Sequence, residues 1–397
     1  MIEIVGLPQP NRKERVAELA RLGFTWADMD DEAYWVDQLA VMPETMYEDL
    51  KRAATELWTI FDKAARFVLG RRDLYELLAI PEVLWDSLDM IEPGPVGRIS
   101  RYARFDFAIA EDGNIRLLEL NADTPTGYVE ASVATPWMCR QHGVRSVNDG
   151  MKRKLAEAWL AEQPEVVACI AYGEHEEDSG TIRMLAQHSG LPVRCLDCLE
   201  LWVDEGQLRD KESKPVDRLF ALYPKEWMAV DEGGEALAYA LESGKLQLFN
   251  PIHAILLQSK GLQALIWGLH ELNSGLFSEE EHTVIDRYML PTYDQPVLKH
   301  TYVSKSMFGR EGGSVKLYDE KGDIEVEDKD GYDTSVWFPP IYQQRADMHP
   351  VKLYDGDYHL LVGMFMLNGQ SSGLLGRAGG LITGNTSHFI AIGVKET

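Results

Sequence analysis

Apolar and polar residues alternate along two arms of the segment 100–126, and this alternation is the strongest structural signal in the chain. Asp112-Gly113 separates the arms, and such a pair predicts a β-hairpin closed by a two-residue type I′ turn. Counting outward from this turn places Asp106 opposite Glu119 on one face of the hairpin. The same polar face would pair Arg104 with Asn121, and the apolar face would contain Phe105, Phe107, Ile109, Leu118 and Leu120.

The facing carboxylates of Asp106 and Glu119 would repel each other unless a positive charge lay between them. With the amide oxygen of Asn121 they form an all-oxygen set that suits Mg²⁺ or Mn²⁺, ions that commonly bridge to phosphate. The alternative interpretation is a surface hairpin whose acids point into solvent and whose Arg104 forms an ordinary ion pair.

The residues after the hairpin predict the start of a helix. Thr124 suits the N-cap and Pro125 the first helical position, with the helix continuing from Tyr128 to about Met138. The free N–H groups at this helix end would lie beside the carboxylate face, and such an end binds anions. Metal, arginine and helix end would then converge on a site for a phosphate or a carboxylate.

Helical periodicity and short apolar runs predict the flanking elements. Residues 43–70 carry an apolar stripe at helical spacing. Residues 166–196 are typical of a strand, a helix and a strand, and the apolar stretches 218–223 and 246–249 would extend the resulting parallel sheet. The acidic run 174–178 would lie at the carboxyl end of a strand and attract an amine, or it is the solvated N-terminus of a helix.

A second informative stretch, residues 296–318, has the pattern of a strand, a glycine-rich loop and a strand. It lacks the Gly-Lys-Ser/Thr of a Walker A loop, and a strand rather than a helix follows it. The pattern fits a flexible flap that closes over a triphosphate beside Lys305, and it also fits an ordinary exposed hairpin. Farther along, Asn368-Gly369 predicts another type I′ hairpin, and Arg377 is either an oxyanion clamp or a surface residue.

Composition narrows the classes of function. A chain of 397 residues predicts two or three domains. The net charge of −25 disfavours nucleic acid or an anionic membrane as a partner and favours a cationic one. Four scattered cysteines do not fit a disulfide scaffold. The sequence shows no apolar run long enough to span a bilayer and no signal peptide, so we expect a cytoplasmic protein.

Four motifs occur in a fixed order along the chain. They are Arg104-Phe105-Asp106, Leu118-Glu119-Leu120-Asn121-Ala122-Asp123-Thr124-Pro125-Thr126, Gly309-Arg310-Glu311-Gly312, and Gly380-Leu381-Ile382-Thr383 through Ser387. Together they resemble the glutathionylspermidine synthase family, and within it the standalone acid–amine ligases that consist of a synthetase domain only. The resemblance implies a mixed α+β and α/β fold, namely a circularly permuted ATP-grasp fold with a Rossmann-like pre-ATP-grasp subdomain.

The resemblance also implies an ATP-dependent ligase that joins a carboxylate such as glutathione to a polyamine-like amine, with ATP and two Mg²⁺ ions. Asp106, Glu119 and Asn121 would match the metal ligands, and Arg104 and Arg377 would act at the acyl phosphate and the reacting phosphate. The expected nucleotide-binding residues are Lys260, Lys305, Gly309, Arg310, Gly312, Gly313, Gln343 and Gln344. The expected substrate-binding residues are Thr124, Thr126, Glu177 and Asp178.

The expected domains are a helical region with the metal-binding hairpin (1–164), a pre-ATP-grasp substrate subdomain (165–250), a nucleotide-binding lid (251–340) and a C-terminal return into the core (341–397). The chain departs from the family at Ser306, where proline is common, and at Lys225, where tryptophan is usual. The sequence leaves open whether Lys225 changes substrate choice. The rival interpretations are a catalytically inactive nucleotide-binding or regulatory protein and a glycosidase that uses the facing carboxylates.

Overall fold

A computed structural model describes residues 1–6, 11–29, 32–161, 167–230, 232–310, 312–328 and 337–395. The α-helices in these residues are α1 (Arg12–Arg21), α2 (Glu44–Val68), α3 (Arg72–Leu77), α4 (Trp85–Met90), α5 (Thr135–His142), α6 (Met151–Leu160), α7 (Glu176–Ser189), α8 (Glu232–Glu242), α9 (Ala254–Gln258), α10 (Gly261–Glu271) and α11 (Glu279–Tyr288). Within these residues, no helix combines the length and the apolar character needed to cross a bilayer.

The strands complete a mixed α/β architecture, which agrees with the coarse fold class expected from the sequence. They are β1 (Glu3–Val5), β2 (Asp28–Met29), β3 (Glu32–Ala33), β4 (Trp35–Pro43), β5 (Tyr102–Ile109), β6 (Ile115–Asn121), β7 (Val167–Ala171), β8 (Val193–Asp197), β9 (Trp202–Asp204), β10 (Gln207–Arg209), β11 (Pro215–Val216), β12 (Arg218–Ala221), β13 (Gln247–Leu248), β14 (Thr292–Tyr293), β15 (Tyr302–Ser306), β16 (Lys316–Tyr318), β17 (Ile324–Glu327), β18 (Pro340–Gln344), β19 (His349–Lys352), β20 (Asp357–Leu367), β21 (Gln370–Gly379) and β22 (His388–Lys395).

The central sheet is mainly antiparallel and has the order β1-β4-β22-β21-β20-β5-β6, with β19 beside the first residues of β20. Helix α2 packs over it, because Leu50, Leu57 and Phe61 recur at helical spacing and are fully buried. The helix predicted over residues 43–70 is therefore confirmed. The type I′ turn between β20 and β21 is also confirmed, since Asn368 and Gly369 have φ values of +51° and +78°.

A second sheet is parallel and has the order β13-β12-β7-β8. It confirms the predicted strand–helix–strand unit and its two additional strands. Strand β7 is wholly apolar and buried, as is typical of a parallel strand covered on both faces. Helix α7 begins at Glu176, so Glu177 and Asp178 lie in its first turn. The predicted helix N-terminus is therefore confirmed, but Glu177 and Asp178 are half-buried there rather than solvated.

A third sheet is antiparallel, has the order β14-β18-β15-β16-β17, and carries the glycine-rich loop between β15 and β16. The predicted sequence of strand, loop and strand is confirmed. Strand β18 pairs with both β14 and β15 and spans the expected limit between the lid and the C-terminal segment. The domain limits themselves stay predictions.

The turn of the central hairpin differs from the prediction. The Ala110 N–H donates to the Asn114 carbonyl at 2.9 Å, and the Gly113 N–H donates to the Ala110 carbonyl at 3.0 Å. The loop therefore contains three residues rather than two, and Gly113 takes the left-handed conformation that it needs (φ +88°). Near the loop, the strands are consequently paired one residue away from the predicted register.

A β-bulge between Asp106 and Phe107 shifts the register back, so the two departures cancel. The predicted polar pairs, Asp106 with Glu119 and Arg104 with Asn121, are confirmed. The bulge also changes which leucine faces the core: Leu117 is fully buried there, whereas Leu118 lies on the polar side. The predicted apolar face is therefore wrong at Leu118.

The helix after the hairpin begins at Tyr128 rather than near Thr124. Gly127 has a φ of +81°, and a Cβ there would lie 2.5 Å from a leucine side chain, so the chain turns sharply at this glycine. A π-helical turn, Glu130–Ala134, follows and continues into α5. The predicted roles of Thr124 and Pro125 at the helix start are therefore wrong.

Asn250 joins the parallel sheet to the central hairpin. It follows β13, is 4% exposed, and its amide oxygen accepts hydrogen bonds from the N–H groups of Arg101 (3.0 Å) and Tyr102 (2.9 Å). Its amide nitrogen donates to the carbonyls of Tyr102 (2.9 Å) and Asp123 (2.7 Å). One side chain thus satisfies buried backbone groups at the start of β5 and just after β6.

We expect Asn250→Ala to lower the free energy of unfolding by about 2–4 kcal/mol, because several buried backbone groups lose their partner. Urea denaturation followed by circular dichroism measures the difference. Asn11→Ala is the matched control, since Asn11 is exposed and makes no side-chain capping hydrogen bond. Equal losses in the two variants would contradict the bridging role of Asn250.

Candidate active site

The polar face of the hairpin brings three side chains together. The amide nitrogen of Asn121 donates to Asp106 Oδ2 at 3.0 Å and to Glu119 Oε1 at 3.2 Å. Asp106 is 2% exposed, whereas the Glu119 side chain is 26% exposed. The alternation of polar and apolar residues predicted that Asp106, Glu119 and Asn121 share one face of the hairpin. The side-chain contacts show in addition that the Asn121 amide lies between the two carboxylates.

Each carboxylate has its own cationic partner. Arg104 binds Asp106 through two hydrogen bonds, from Nε to Oδ1 at 2.6 Å and from Nη2 to Oδ2 at 2.8 Å. Lys260 Nζ lies 3.2 Å from Glu119 Oε2. Arg104 also donates to the Thr126 carbonyl at 2.6 Å, which fixes the segment after the hairpin. The repulsion expected from the sequence is therefore offset by the protein's own cations.

The buried cations and carboxylates shift each other's pKa. Burial works against ionisation of Glu119, but the charges of Lys260 and Lys305 outweigh it and lower the pKa of Glu119 to about 2. Burial also opposes the charge of Arg104, and the neighbouring Asp106 nevertheless raises the pKa of this arginine above its ordinary value. Burial lowers the pKa of Lys305 to about 8, and Glu119 opposes that shift. A phosphate bound near Lys305 would favour its charged form.

The polar face fits a hard divalent cation such as Mg²⁺. Its donors are the oxygens of two carboxylates and one amide, and a half-turn of the Asn121 amide would replace the nitrogen with the oxygen at the same point. No group of three or more histidine, cysteine or carboxylate side chains placed to hold a metal occurs in the part of the chain that the structure describes. The candidate ion site accordingly depends on Asp106, Glu119 and the amide together.

A cavity of about 760 Å³ lies between the central sheet and the third sheet. Its walls are partly apolar, with Leu118 from the hairpin and Val303 from β15. Lys260 Nζ donates to the Gly309 carbonyl at 2.7 Å, and Lys305 Nζ donates to Gln343 Oε1 at 2.8 Å. The predicted nucleotide-binding residues that line this cavity are Lys260, Lys305, Gly309, Gly312, Gly313, Gln343 and Gln344.

A second cavity, of about 860 Å³, adjoins the first. The predicted residues that line it are Arg104, Asp106, Glu119, Asn121, Thr124, Thr126, Glu177, Asp178, Arg310 and Arg377. Aromatic side chains, including Tyr34, Tyr172 and Trp227, form part of its wall. The two cavities share Glu119, Gly312, Leu361 and Thr383. The polar face of the hairpin therefore lies at the border between them.

Two arginines of the second cavity are held by other segments. Arg310 was predicted among the nucleotide-binding residues of the glycine-rich loop, and the structure places it on the second cavity. Its Nε donates to Glu226 Oε1 at 2.7 Å and its Nη1 to Thr124 Oγ1 at 2.6 Å. Arg377, on β21, donates from Nη2 to the Gly384 carbonyl at 2.8 Å.

Sequence reasoning missed a buried ionic network behind this cavity. Glu226 is fully buried, and next to it Lys225 forms an ion pair with the fully buried Asp123. The Lys225 N–H also donates to Asp123 Oδ2 at 3.0 Å. Neither Lys225 nor Asp123 is among the described residues that line the two cavities. No local pattern signals these pairs, because their partners lie far apart along the chain.

A family model described as glutathionylspermidine synthase preATP-grasp matches residues 7–395. The chain belongs to this family. The names of the relatives described next support a carbon–nitrogen ligase as the general type of activity.

Three relatives show how far the similarity extends. A Haemophilus influenzae protein provisionally named acid–amine ligase is 24% identical over 413 residues, which cover 96% of this chain and 97% of that protein. The bifunctional glutathionylspermidine synthetase/amidase of Escherichia coli K12 is 24% identical over 363 residues, or 83% of this chain and 55% of the enzyme. The Shigella flexneri protein of the same name gives the same values. This chain therefore spans about half the length of the bifunctional enzymes.

We expect Lys225→Met to lower the free energy of unfolding by about 3–5 kcal/mol, because it leaves the carboxylate of Asp123 buried without its partner. Adding Asp123→Asn should recover part of that loss. Lys211→Met, which removes an exposed ion pair with Glu200, is the control and should change stability little. Urea denaturation measures all of these variants, and a double variant no more stable than Lys225→Met would contradict the pairing.

We expect Glu119→Gln to destabilise the protein at neutral pH. The pKa of Glu119 in the fold is about 2, below its ordinary value of 4.5, so its contribution is complete above pH 4.5 and disappears as the pH falls towards 2. The loss should be at most about 3 kcal/mol. Unfolding free energies across this pH range measure it, with the exposed Glu76→Gln as control. A variant more stable than the wild type at pH 7 would show that repulsion dominates instead.

Proposed function

We propose that this protein is an ATP-dependent acid–amine ligase that forms an amide bond through an acyl phosphate. The observation that carries the proposal is the position of Asp106, Glu119 and Asn121 at the border of two cavities. The first cavity offers lysines and a glycine-rich loop, and the second offers arginines, hydroxyl groups and carboxylates. A phosphate donor and a carboxylate acceptor would meet at that border. Family membership supports the same reaction class.

ATP is the proposed occupant of the first cavity. Lys260 and Lys305 would neutralise its phosphates, and backbone N–H groups of the loop 309–313 would surround them. Gln343 and Gln344, at the end of β18, would lie near the adenine. Gln343 is 1% exposed and already bonds Lys305, so adenine and phosphate recognition would be linked through this pair.

Asp106, Glu119 and Asn121 are the proposed ligands of two Mg²⁺ ions. When bound, the ions would supply charge neutralisation for the phosphates of ATP. Without them, Arg104 and Lys260 already hold the two carboxylates in position. The proposed arrangement is that of a circularly permuted ATP-grasp fold with the four domain limits expected from the sequence.

Two of the three arginines that line the second cavity, Arg104 and Arg377, are proposed to serve the acid substrate. Its carboxylate oxygen would attack the γ-phosphorus, so that an O–P bond forms and the bond to ADP breaks. Arg104 and Arg377 would orient the carboxylate and stabilise the charge on the transferred group. Thr124 and Thr126 would line the path of the acid, which we propose to be a peptide such as glutathione.

The acidic first turn of α7 is proposed to bind the amine. Glu177 and Asp178 are half-buried in the wall of the second cavity, where their charges would attract a cationic amine. Spermidine or a related polyamine fits this role. The amine nitrogen would then attack the acyl carbon and displace phosphate, which completes the amide.

Release of ADP that requires both glutathione and spermidine tests the proposal. Asp106→Asn and Glu119→Gln should each lower turnover at least about 10²-fold, because each removes charge from the group that positions the phosphates. Asp73→Asn, on an exposed turn of α3, is the control and should leave turnover unchanged. A panel of other acids and amines extends the search if this pair is inactive. Nucleotide binding without turnover for any pair would instead favour the inactive regulatory protein.

A further inference from the structure

Glu130 is a buried carboxylate that the reaction described above does not use. It is fully buried in the π-helical turn Glu130–Ala134. Its Oε1 accepts hydrogen bonds from Trp26 Nε1 at 2.8 Å and from the Tyr34 hydroxyl at 3.1 Å. Its Oε2 has no hydrogen-bond partner among the described residues. A buried carboxylate oxygen without a hydrogen-bond partner lowers the stability of the fold, so its presence calls for an explanation. In addition, π-helical turns are frequent at functional sites.

Tyr34 connects this carboxylate to the second cavity. Its side chain is half-buried and lines the cavity together with Arg377 and Glu177. Its hydroxyl donates to Glu130, which leaves lone pairs on the same oxygen that can accept a proton. Among the described residues, Tyr34 therefore both lines the cavity and bonds Glu130.

The groups around Glu130 set its basicity. Burial raises the pKa of Glu130, whereas the hydrogen bonds from Trp26 and Tyr34 and the charge of Arg377 work in the opposite direction. Burial raises the pKa of Tyr34 well above its ordinary value, and the charges of Glu130 and Glu177 act in the same direction. A carboxylate with a raised pKa is a better proton acceptor near neutral pH than one in water.

The proposed reaction needs such an acceptor. An aliphatic amine is bound as an ammonium ion, whose nitrogen has no lone pair, so it must lose one proton before it can attack the acyl phosphate. Glu177 and Asp178 would attract the amine, but their negative charges favour its ammonium form. A carboxylate that is separated from the amine by one hydroxyl can take the proton without forming that ion pair.

We propose, on the basis of the ligase function above, that Tyr34 and Glu130 form a proton relay that activates the amine. The Tyr34 oxygen takes a proton from the ammonium ion while its own hydrogen passes to Glu130 Oε1. The neutral nitrogen then forms the C–N bond as the C–O bond to phosphate breaks. The second amine proton leaves with the departing group as hydrogen phosphate, and Glu130 returns its proton through Tyr34 to solvent.

Comparing two amines tests the relay. Full-length protein is assayed with ATP, Mg²⁺ and glutathione, and with either spermidine or hydroxylamine as the amine. Hydroxylamine is largely uncharged at neutral pH and needs no base, and the hydroxamate that it yields also reports the acyl phosphate. We expect Tyr34→Phe and Glu130→Gln to slow the reaction of spermidine about 10²- to 10⁴-fold and that of hydroxylamine far less.

The pH dependence separates a relay from a structural role. In the wild type, the spermidine rate should fall at low pH as Glu130 becomes protonated. In Glu130→Gln the part of this low-pH fall that is caused by protonation of Glu130 should disappear. The spermidine rate should then change with pH in proportion to the uncharged fraction of the amine. Tyr128→Phe is the matched control, because Tyr128 is a buried tyrosine whose hydroxyl bonds His188 rather than Glu130. It should slow both amines equally or not at all.

Three results would overturn the relay. Equal slowing of both amines by Tyr34→Phe would indicate a structural role, and an unchanged spermidine rate would indicate no role. Tyr34→Phe keeps the ring and decides the question even if Glu130→Gln fails to fold. Absence of hydroxamate with the wild type, for glutathione and for every acid of the panel, would show that the acyl phosphate itself is not formed, so that the proposed function fails and the relay with it.

Discussion

The structure depends on the charge balance at the polar face of the central hairpin. Two carboxylates that one hairpin brings together are tolerated because Arg104 neutralises Asp106 and Lys260 neutralises Glu119. The two cations belong to different elements of the fold. Arg104 is on β5 with Asp106, whereas Lys260 directly precedes α10. The backbone N–H of Lys260 also donates to Met307 at the end of β15 (2.9 Å), so the ion pair connects the central sheet to the glycine-rich loop. The same ion pairs therefore determine both the positions of the side chains in the site and its balance of charge.

The opposite face of the same hairpin explains why the site can be rigid. Phe105 packs edge-on against Trp58 and Phe61 of α2, with ring centroids 6.1 and 5.5 Å apart. Strand β20 covers the other edge of β5, and at Gly363 a Cβ would lie 2.8 Å from the Arg104 side chain. The arginine therefore has little freedom to leave Asp106. A polar site built on a packed strand keeps its geometry better than one built on a loop.

The local sequence pattern predicted the main strands, the hairpins and the helix over residues 43–70. One correct prediction, however, depended on a β-bulge that the pattern does not reveal. The pairing of Asp106 with Glu119 was correct although the turn has three residues, because the bulge compensated for the error. The same bulge made the assignment of Leu118 wrong. The contacts of Lys225 with Asp123 and of Tyr34 with Glu130 join residues about 100 positions apart, and only the folded chain reveals them. The proposed role of Lys260 was expected from family resemblance alone, whereas the segment around Arg377 had already suggested an oxyanion clamp.

A crystal structure with Mn²⁺ and a non-hydrolysable ATP analogue would show whether the polar face of the hairpin binds a metal beside the nucleotide's phosphates, since anomalous scattering identifies the metal position. We expect manganese about 2 Å from oxygens of Asp106 and Glu119, with the analogue's phosphates between Lys260 and Lys305. Manganese bound elsewhere, or an analogue lying outside the cavity between the central and third sheets, would contradict it.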